Sequence, residues 1–168
     1  VLFRSPEDAE TELEQFLKIY IQEEEEMEEI EISSRYMETE DTLVANSRFL
    51  LDNFEEEPIS FIVKNHILVS VRSQELRSFN ETVKKMFANP RNYPNGFYIL
   101  VALLETRVEY DADMIEELAK EITQLSNRLK TDDDVSDDIL IAIKELQEKT
   151  MLIRENIIDK QRVCSNML

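Results

Sequence analysis

Seven glutamates lie between Glu23 and Glu31, interrupted only by Met27 and Ile30. Carboxylate oxygens are the ligands that Mg²⁺ and Ca²⁺ prefer, and a weak, partly hydrated site needs only a few of them brought together. An acidic run is also typical of a solvent-exposed helix face, and the spacing of Met27 and Ile30 would put both on the opposite side. The residues alone leave a cation site and a solvated helix face open.

The negative charge is concentrated in the N-terminal third of this 168-residue chain, whose formal net charge is −18. Residues 1–57 hold 19 acids and 4 bases, a net charge of −15, whereas residues 58–130 carry +1 and residues 131–168 carry −4. Nucleic acid is not expected as a partner, because phosphate binding needs Lys and Arg. An anionic membrane surface is disfavoured for the same reason. Cations are the natural partners of such a surface.

Other residues that could carry chemistry are few. His66, the one histidine, lies in a predicted turn, and Cys164, the one cysteine, lies on a predicted helix seam, where a free thiol packs as a small apolar side chain. No Gly-rich phosphate loop, nucleophile motif or Cys/His zinc spacing occurs, and the acids at residues 132–134 lack the spacing of a calcium loop. We therefore predict no catalytic residue, no cofactor-binding residue and no enzymatic activity.

The elements that would position the carboxylates are predicted from periodicity and turn signals. Strands are expected within residues 41–53 and 58–72, and the second stretch contains a tight turn at Lys64–Asn65–His66. Helices are expected within residues 5–20, in the glutamate run, within 73–89, from about 97 to 130, and from about 135 onward. The fold class is α/β (α+β), with a mixed or mainly antiparallel sheet flanked by helices.

The last two helices carry apolar residues at alternating spacings of three and four, which predicts a long antiparallel helical hairpin. The predicted seam residues are Val101, Leu104, Val108, Ile115, Leu118, Ile122, Leu125 and Leu129 on the first helix, and Ile139, Ile143, Leu146, Thr150, Ile153, Ile157 and Cys164 on the second. Asp111 interrupts the first seam. Such an acid breaks the seam, sets its register or opens onto another surface, and we expect the helices to splay there.

Four segments, in this order, resemble the CorA family of divalent-cation channels: "EEMEEIEISSRYM", "EPISFIVKNHILVSVR", "FYILVALLETRVEYDADMIEELAKEITQL" and "LQEKTMLIRENIIDKQRV". The resemblance implies a homopentameric channel for Mg²⁺, often also passing Co²⁺ or Ni²⁺. It further implies that residues 1–130 are a CorA-like cytoplasmic α/β domain and that residues 131–168 begin its stalk helix. The membrane helices and their Gly-Met-Asn motif would follow outside this chain. The whole protein would then lie in the inner or plasma membrane, with this fragment on the cytoplasmic side.

The resemblance also supplies candidate metal ligands, because family members bind Mg²⁺ through cytoplasmic carboxylates at subunit boundaries and so hold the pore closed. The matching positions are Glu25, Glu26 and Glu105, and the last of these is followed by Thr106–Arg107, which would bring a positive charge beside the site. No tightly bound ion is expected in the fragment. The predicted function is a Mg²⁺-sensing regulatory domain; the alternative is an acidic helical-hairpin interaction module without a transport role.

Overall fold

The computed structural model describes residues 7–20, 36–131 and 137–167. The predicted helices and strands that fall in these ranges are confirmed, and one short strand, β1, was not predicted. The predicted helix in the glutamate run lies outside the described residues. The elements are α1 (Glu7–Leu17), β1 (Tyr36–Glu38), β2 (Thr42–Leu50), β3 (Glu56–Lys64), β4 (Ile67–Val71), α2 (Arg77–Ala88), a 3₁₀ helix (Pro90–Asn92), α3 (Gly96–Thr131) and α4 (Asp137–Asn166).

The four strands form an antiparallel meander in the order β1-β2-β3-β4. This confirms the predicted fold class. Lys64 pairs with Ile67, so β3 and β4 are joined by the two residues Asn65 and His66. Both have positive φ angles, 49° and 67°, which is the backbone conformation that twisted two-residue hairpins require and that Asn adopts readily.

The core lies on one face of the sheet. Ala45 of β2 is directly opposite Phe61 of β3, and strand alternation places Phe49 on the same face. Phe79 of α2 completes an aromatic cluster in which the three ring centroids are 6.0 to 6.4 Å apart. The other buried members of this core are Leu43, Ile59, Leu68, Leu76, Leu100, Leu103, Leu104 and Val163. Helices α2, α3 and α4 therefore share one core with the sheet.

Helix α2 begins at Arg77, four residues later than the predicted start. The buried carboxylate of Glu57 accepts hydrogen bonds from the backbone N–H groups of Ser73 and Gln74, at 2.6 and 3.1 Å, and from the Ser73 hydroxyl. Ser73 and Gln74 are thereby held in the turn, before the first helical residue. The carboxylate thus fixes the turn between β4 and α2.

Helix α3 begins against the β3–β4 turn. The Asn95 carboxamide oxygen accepts hydrogen bonds from the backbone N–H groups of Phe97 and Tyr98, which is an N-cap. The Gly96 N–H donates to the His66 carbonyl at 2.6 Å. A Cβ on Gly96 would lie 2.5 Å from the Leu68 nitrogen, so the single glycine of the chain allows this close approach.

Helices α3 and α4 form the predicted antiparallel hairpin, but only part of the predicted seam is buried. Leu118 and Ile153 are buried in a small cluster with Leu50 of β2. Cys164 is exposed and its neighbour Val163 is buried instead, so the prediction of a packing role for the thiol was wrong. The other predicted seam residues that are exposed are Val108, Ile115, Ile122, Leu129, Ile143, Thr150 and Ile157.

Asp111 does not splay the hairpin; that expectation was wrong. The carboxylate is buried, forms an ion pair with Arg107 one turn earlier, and lies 3.2 Å from the Lys160 ammonium of α4. Arg107 also donates to the Leu50 carbonyl at the end of β2, at 2.7 Å. One acid therefore joins two cations from both helices, because a buried charge is tolerated only when it is paired and hydrogen-bonded.

Helix α4 is also fixed to β2 by polar contacts of Asp159 and Asn156, which lie close to Lys160 in the chain. Asp159 accepts hydrogen bonds from the Ser47 hydroxyl and the Arg48 backbone N–H, at 3.1 and 3.2 Å. Asn156 donates to the Arg48 carbonyl at 2.9 Å and accepts from the Lys160 ammonium. The hairpin and the sheet are thus held in one register by directional bonds as well as by apolar packing.

Burial lowers the pKa of Lys160 from 10.5 to about 8, and Arg107 acts in the same direction, whereas Asp111 opposes the shift. Desolvation is the largest cause, because a buried ammonium loses its hydration.

Replacing Gly96 by Ala is expected to lower the free energy of unfolding by about 1–3 kcal/mol, since the new methyl group must displace the β4 backbone. Urea unfolding followed by circular dichroism measures the change. Gln124→Ala, at an exposed position of the same helix, is the matched control and should leave stability nearly unchanged. A Gly96→Ala protein as stable as the control would contradict the close approach.

Asp111→Ala should lower the free energy of unfolding by about 3–5 kcal/mol, because it leaves two buried cations without their counter-ion. Glu116→Ala removes an acid with the same i,i+4 spacing to its cation, but that pair lies in solvent and the loss should be far smaller. Equal effects of the two substitutions in urea unfolding would show that the buried network does not stabilise the fold.

The free energy of unfolding should rise with pH between about 8 and 10.5, because the unfolded chain keeps the Lys160 proton in this window and the folded chain has lost it. The contribution of one group is at most about 1.4 kcal/mol per pH unit. Below pH 8 both states hold the proton, so Lys160 no longer contributes to the pH dependence of the free energy of unfolding. Lys160→Met should remove this increment of slope in urea unfolding; identical slopes for the two proteins would disprove the shifted pKa.

Candidate functional site

Glu105 is the one predicted metal ligand among the described residues. It lies on α3 between Leu104, which packs in the core, and Thr106, which is buried against α2. Successive helix residues point about 100° apart, so Glu105 is turned outward and its side chain is exposed. Glu25 and Glu26 lie outside the described residues. The structure therefore places one of the three carboxylates at an open surface and does not test whether the three converge.

The positive charge predicted beside Glu105 is not there. Arg107 is buried, and its guanidinium points to Asp111 and the Leu50 carbonyl, on the side of α3 that faces the sheet. Residues two apart on a helix do not face each other. Arg107 is therefore a structural cation that does not compete for the Glu105 carboxylate.

Glu109 lies one helical turn after Glu105 on the same side of α3, so the two carboxylates are neighbours on the surface. Glu109 is 3.1 Å from the Lys85 ammonium of α2, and this ammonium also donates to the Thr106 hydroxyl. Two carboxylates on one helix offer too few ligands for a dehydrated Ca²⁺, but they suit a hydrated Mg²⁺ that keeps most of its waters. Within the described residues, no group of three or more His, Cys, Asp or Glu side chains is arranged to hold a metal ion.

A second acidic group lies at the end of the β1–β2 turn and was missed at the sequence level. A cleft of about 530 Å³ is lined by Glu38, Glu40, Asp41, Lys64 and His66, among others. The Thr42 hydroxyl and Lys64 hold the pKa of Asp41 below its usual range, and the Lys64 ammonium is 3.3 Å from that carboxylate. The acidic residues at positions 38–41 were the sequence feature that could have indicated this group. Strand pairing brings them close to the β3–β4 turn, which contains His66.

No described helix combines the length and the apolar character that crossing a membrane requires.

Comparison with known proteins identifies the family. The family model of the CorA-like Mg²⁺ transporter protein matches residues 2–168. The magnesium transport protein CorA of Wolinella succinogenes is 35% identical over 164 residues, covering 93% of this chain and 51% of that protein. That of Campylobacter jejuni strain RM1221 is 35% identical over 158 residues, covering 86% of this chain and 48% of that protein. This chain thus spans about half the length of these relatives.

Solved structures show the same fold. The soluble domain of CorA from Methanocaldococcus jannaschii superposes with a TM-score of 0.69 at 15% identity, covering 94% of this chain and 64% of that chain. The full-length CmaX protein gives a TM-score of 0.69 at 13% identity, covering 79% of this chain and 42% of that chain. With the family match over nearly all its residues, the chain belongs to the CorA-like Mg²⁺ transporter family.

Proposed function

We propose that this chain is the cytoplasmic, Mg²⁺-sensing regulatory part of a CorA-like divalent-cation transporter. Mg²⁺ would be both the sensed and the transported ion, with Co²⁺ or Ni²⁺ as alternative cargo. Family membership and the names of the relatives support the transport role. The structural relative from Methanocaldococcus jannaschii is a soluble domain of CorA, which supports a domain outside the membrane.

The observation that carries the sensing role is the outward position of Glu105. The Glu105 side chain is exposed on α3, whereas the residues on either side of it, Leu104 and Thr106, are buried. A cation held there needs further oxygen ligands, which Glu25 and Glu26, Glu109 or a neighbouring subunit would supply. Mg²⁺ accepts such a site, because it is bound by one or two carboxylates and retains water.

The negative charge of the chain offers a way for a cation bound at this site to regulate the contacts between subunits. Copies with a formal charge of −18 repel one another, and a divalent cation between carboxylates of two subunits offsets part of that repulsion. In the full protein, a homopentamer whose membrane helices lie outside this chain, loss of Mg²⁺ would loosen the contacts between subunits. The division into a domain of residues 1–130 and a stalk beginning at residues 131–168 belongs to this proposal, as does the absence of enzymatic activity.

The second candidate is an acidic helical-hairpin interaction module. The apolar residues of α3 that remain exposed favour it, because such a surface is typical of a protein interface. A Mg²⁺ titration separates the two candidates, since the module has no need of the ion.

Glu105→Gln should weaken Mg²⁺ binding by this chain several-fold in isothermal titration calorimetry, because the amide keeps the shape of the side chain and removes its charge. The wild-type chain should bind in the millimolar range, as expected of a partly hydrated ion. The double substitution Glu25→Gln and Glu26→Gln should have a comparable effect if these residues complete the site.

Glu117→Gln is the matched control: it removes one exposed carboxylate from another side of the same helix and should leave binding unchanged. If Glu105→Gln and Glu117→Gln bind Mg²⁺ as tightly as the wild type, any binding is diffuse attraction to the acidic surface and the proposed sensor site is wrong.

A further inference from the structure

A second cleft lies between the β2–β3 turn and the start of α2, and none of the roles described above uses it. Its volume is about 350 Å³, which is in the range of small-molecule pockets. Leu51 and Leu76 line it from the two sides, and Arg107 and Tyr110 line it from α3. Three parts of one core therefore form its walls.

Helix α2 begins at this cleft without a side-chain cap. Leu76 is the N-cap residue, its side chain cannot accept a hydrogen bond, and the first turn holds no acid. Helix α3, by contrast, begins with the Asn95 cap. Among the described residues, no side chain accepts a hydrogen bond from the backbone N–H groups of Arg77 and Ser78. Such groups carry partial positive charge and attract an anion.

The Ser78 side chain is a second, independent feature of the cleft. Ser78 lines the cleft and is only 2% exposed, and its buried hydroxyl has no hydrogen-bond partner among the described residues. Thr82, one turn later, shows the usual arrangement, since its hydroxyl donates to the Ser78 carbonyl. A buried hydroxyl without a partner costs free energy. A ligand oxygen in the cleft would supply the missing partner.

Arg77 supplies a full positive charge at the same place. Its guanidinium carbon lies 5.1 Å from the centre of the Tyr110 ring, and both residues line the cleft. Contact with the ring holds the guanidinium at the cleft wall. Arg107 is the other cation there, but its guanidinium already binds Asp111 and the Leu50 carbonyl. Arg77 is thus the cation that can pair with a ligand.

Two exposed acids of the cleft, Asp52 and Glu75, restrict the charge of that ligand. They repel a doubly charged phosphate more strongly than a singly charged carboxylate. Leu51 and Leu76 offer apolar surface to a short hydrocarbon chain. The lining as a whole therefore favours a carboxylate attached to a small apolar group.

We propose that this cleft binds a small molecule through its carboxylate. The carboxylate lies at the N-terminus of α2, where it accepts hydrogen bonds from the backbone N–H groups of Arg77 and Ser78 and from the Ser78 hydroxyl. The Arg77 guanidinium pairs with its charge, and the apolar part of the molecule contacts the leucines. Binding requires no metal, so this site goes beyond the Mg²⁺-dependent role proposed above.

Two-dimensional amide NMR of the 168-residue chain in EDTA tests the site with butyrate as the probe. We expect the amide signals of Arg77 and Ser78 to shift and to saturate at millimolar butyrate, because these N–H groups donate to the carboxylate. Butyramide has the same shape and no charge, and should leave both signals in place. Since EDTA removes divalent cations, the result does not depend on the proposed Mg²⁺ site.

Arg77→Gln should raise the dissociation constant of butyrate at least about fivefold, because the carboxylate loses its charged partner. Lys84→Gln is the matched control. It removes an exposed cation about two turns further along the same helix and should leave the dissociation constant unchanged.

Ser78→Ala separates ligand binding from a structural role of the hydroxyl. The substitution should raise the dissociation constant of butyrate at least about threefold. The midpoint of urea unfolding should not fall, because the lost hydroxyl has no partner among the described residues. Unchanged affinity together with a lower midpoint would overturn the role of Ser78 in binding.

Amide signals of Arg77 and Ser78 that do not shift, or that shift without saturating, would overturn the proposal. Equal shifts with butyramide would do the same, because binding would then be apolar contact alone. Binding of inorganic phosphate in preference to butyrate would overturn the assignment to a carboxylate. Equal losses of affinity in Arg77→Gln and Lys84→Gln would show diffuse attraction to positive charge instead of a site.

Discussion

The buried carboxylate of Asp111 is the constraint on which the arrangement of this molecule depends. It pairs with Arg107 on its own helix and with Lys160 on α4, and Arg107 reaches in turn to the end of β2. Apolar heptad packing tolerates slippage and alternative partners, whereas a buried charge is stable only with its counter-ions in place. The network therefore selects one register for the hairpin and one placement of that hairpin on the sheet.

That placement decides which side of α3 is free. Because Arg107 and Asp111 turn inward, Glu105 and Val108 turn outward, and every seventh residue after Val108 follows. The candidate carboxylate is consequently beside Val108, the first of the exposed apolar residues of α3. A partner or subunit that contacts these apolar residues would cover the surface beside Glu105, so assembly and cation binding have a physical route by which each could influence the other.

Much of the fold could be predicted from the sequence, for identifiable reasons. Alternation in residues 58–72 and the Asn65 turn specified a hairpin, and the helical periods of α3 and α4 specified two long antiparallel helices. The start of α2 was misplaced: Ser73 and Gln74 lie in the turn before it, where they donate hydrogen bonds to the Glu57 carboxylate, which is distant in sequence. In the candidate site, the Glu105–Glu109 pair follows from a spacing of four residues on a predicted helix and was overlooked. The inward turn of Arg107 does not follow from local sequence, because the Leu50 carbonyl that it contacts is distant in the chain.

By itself, the sequence determined most of the described secondary structure, the antiparallel hairpin, the family and the strongly acidic character of the chain, since these depend on local periodicity, turn chemistry and composition. Only the tertiary structure decided which of two overlapping heptad rows of α3 is buried. The buried row is Leu104, Asp111, Leu118 and Leu125, and the exposed row is Val108, Ile115, Ile122 and Leu129. Both rows have apolar residues at helical spacing, so periodicity ranks them equally. The choice between them depends on the ion pair between Asp111 and Lys160, which lie about fifty residues apart in the chain. Local periodicity cannot predict a contact between residues so distant in sequence.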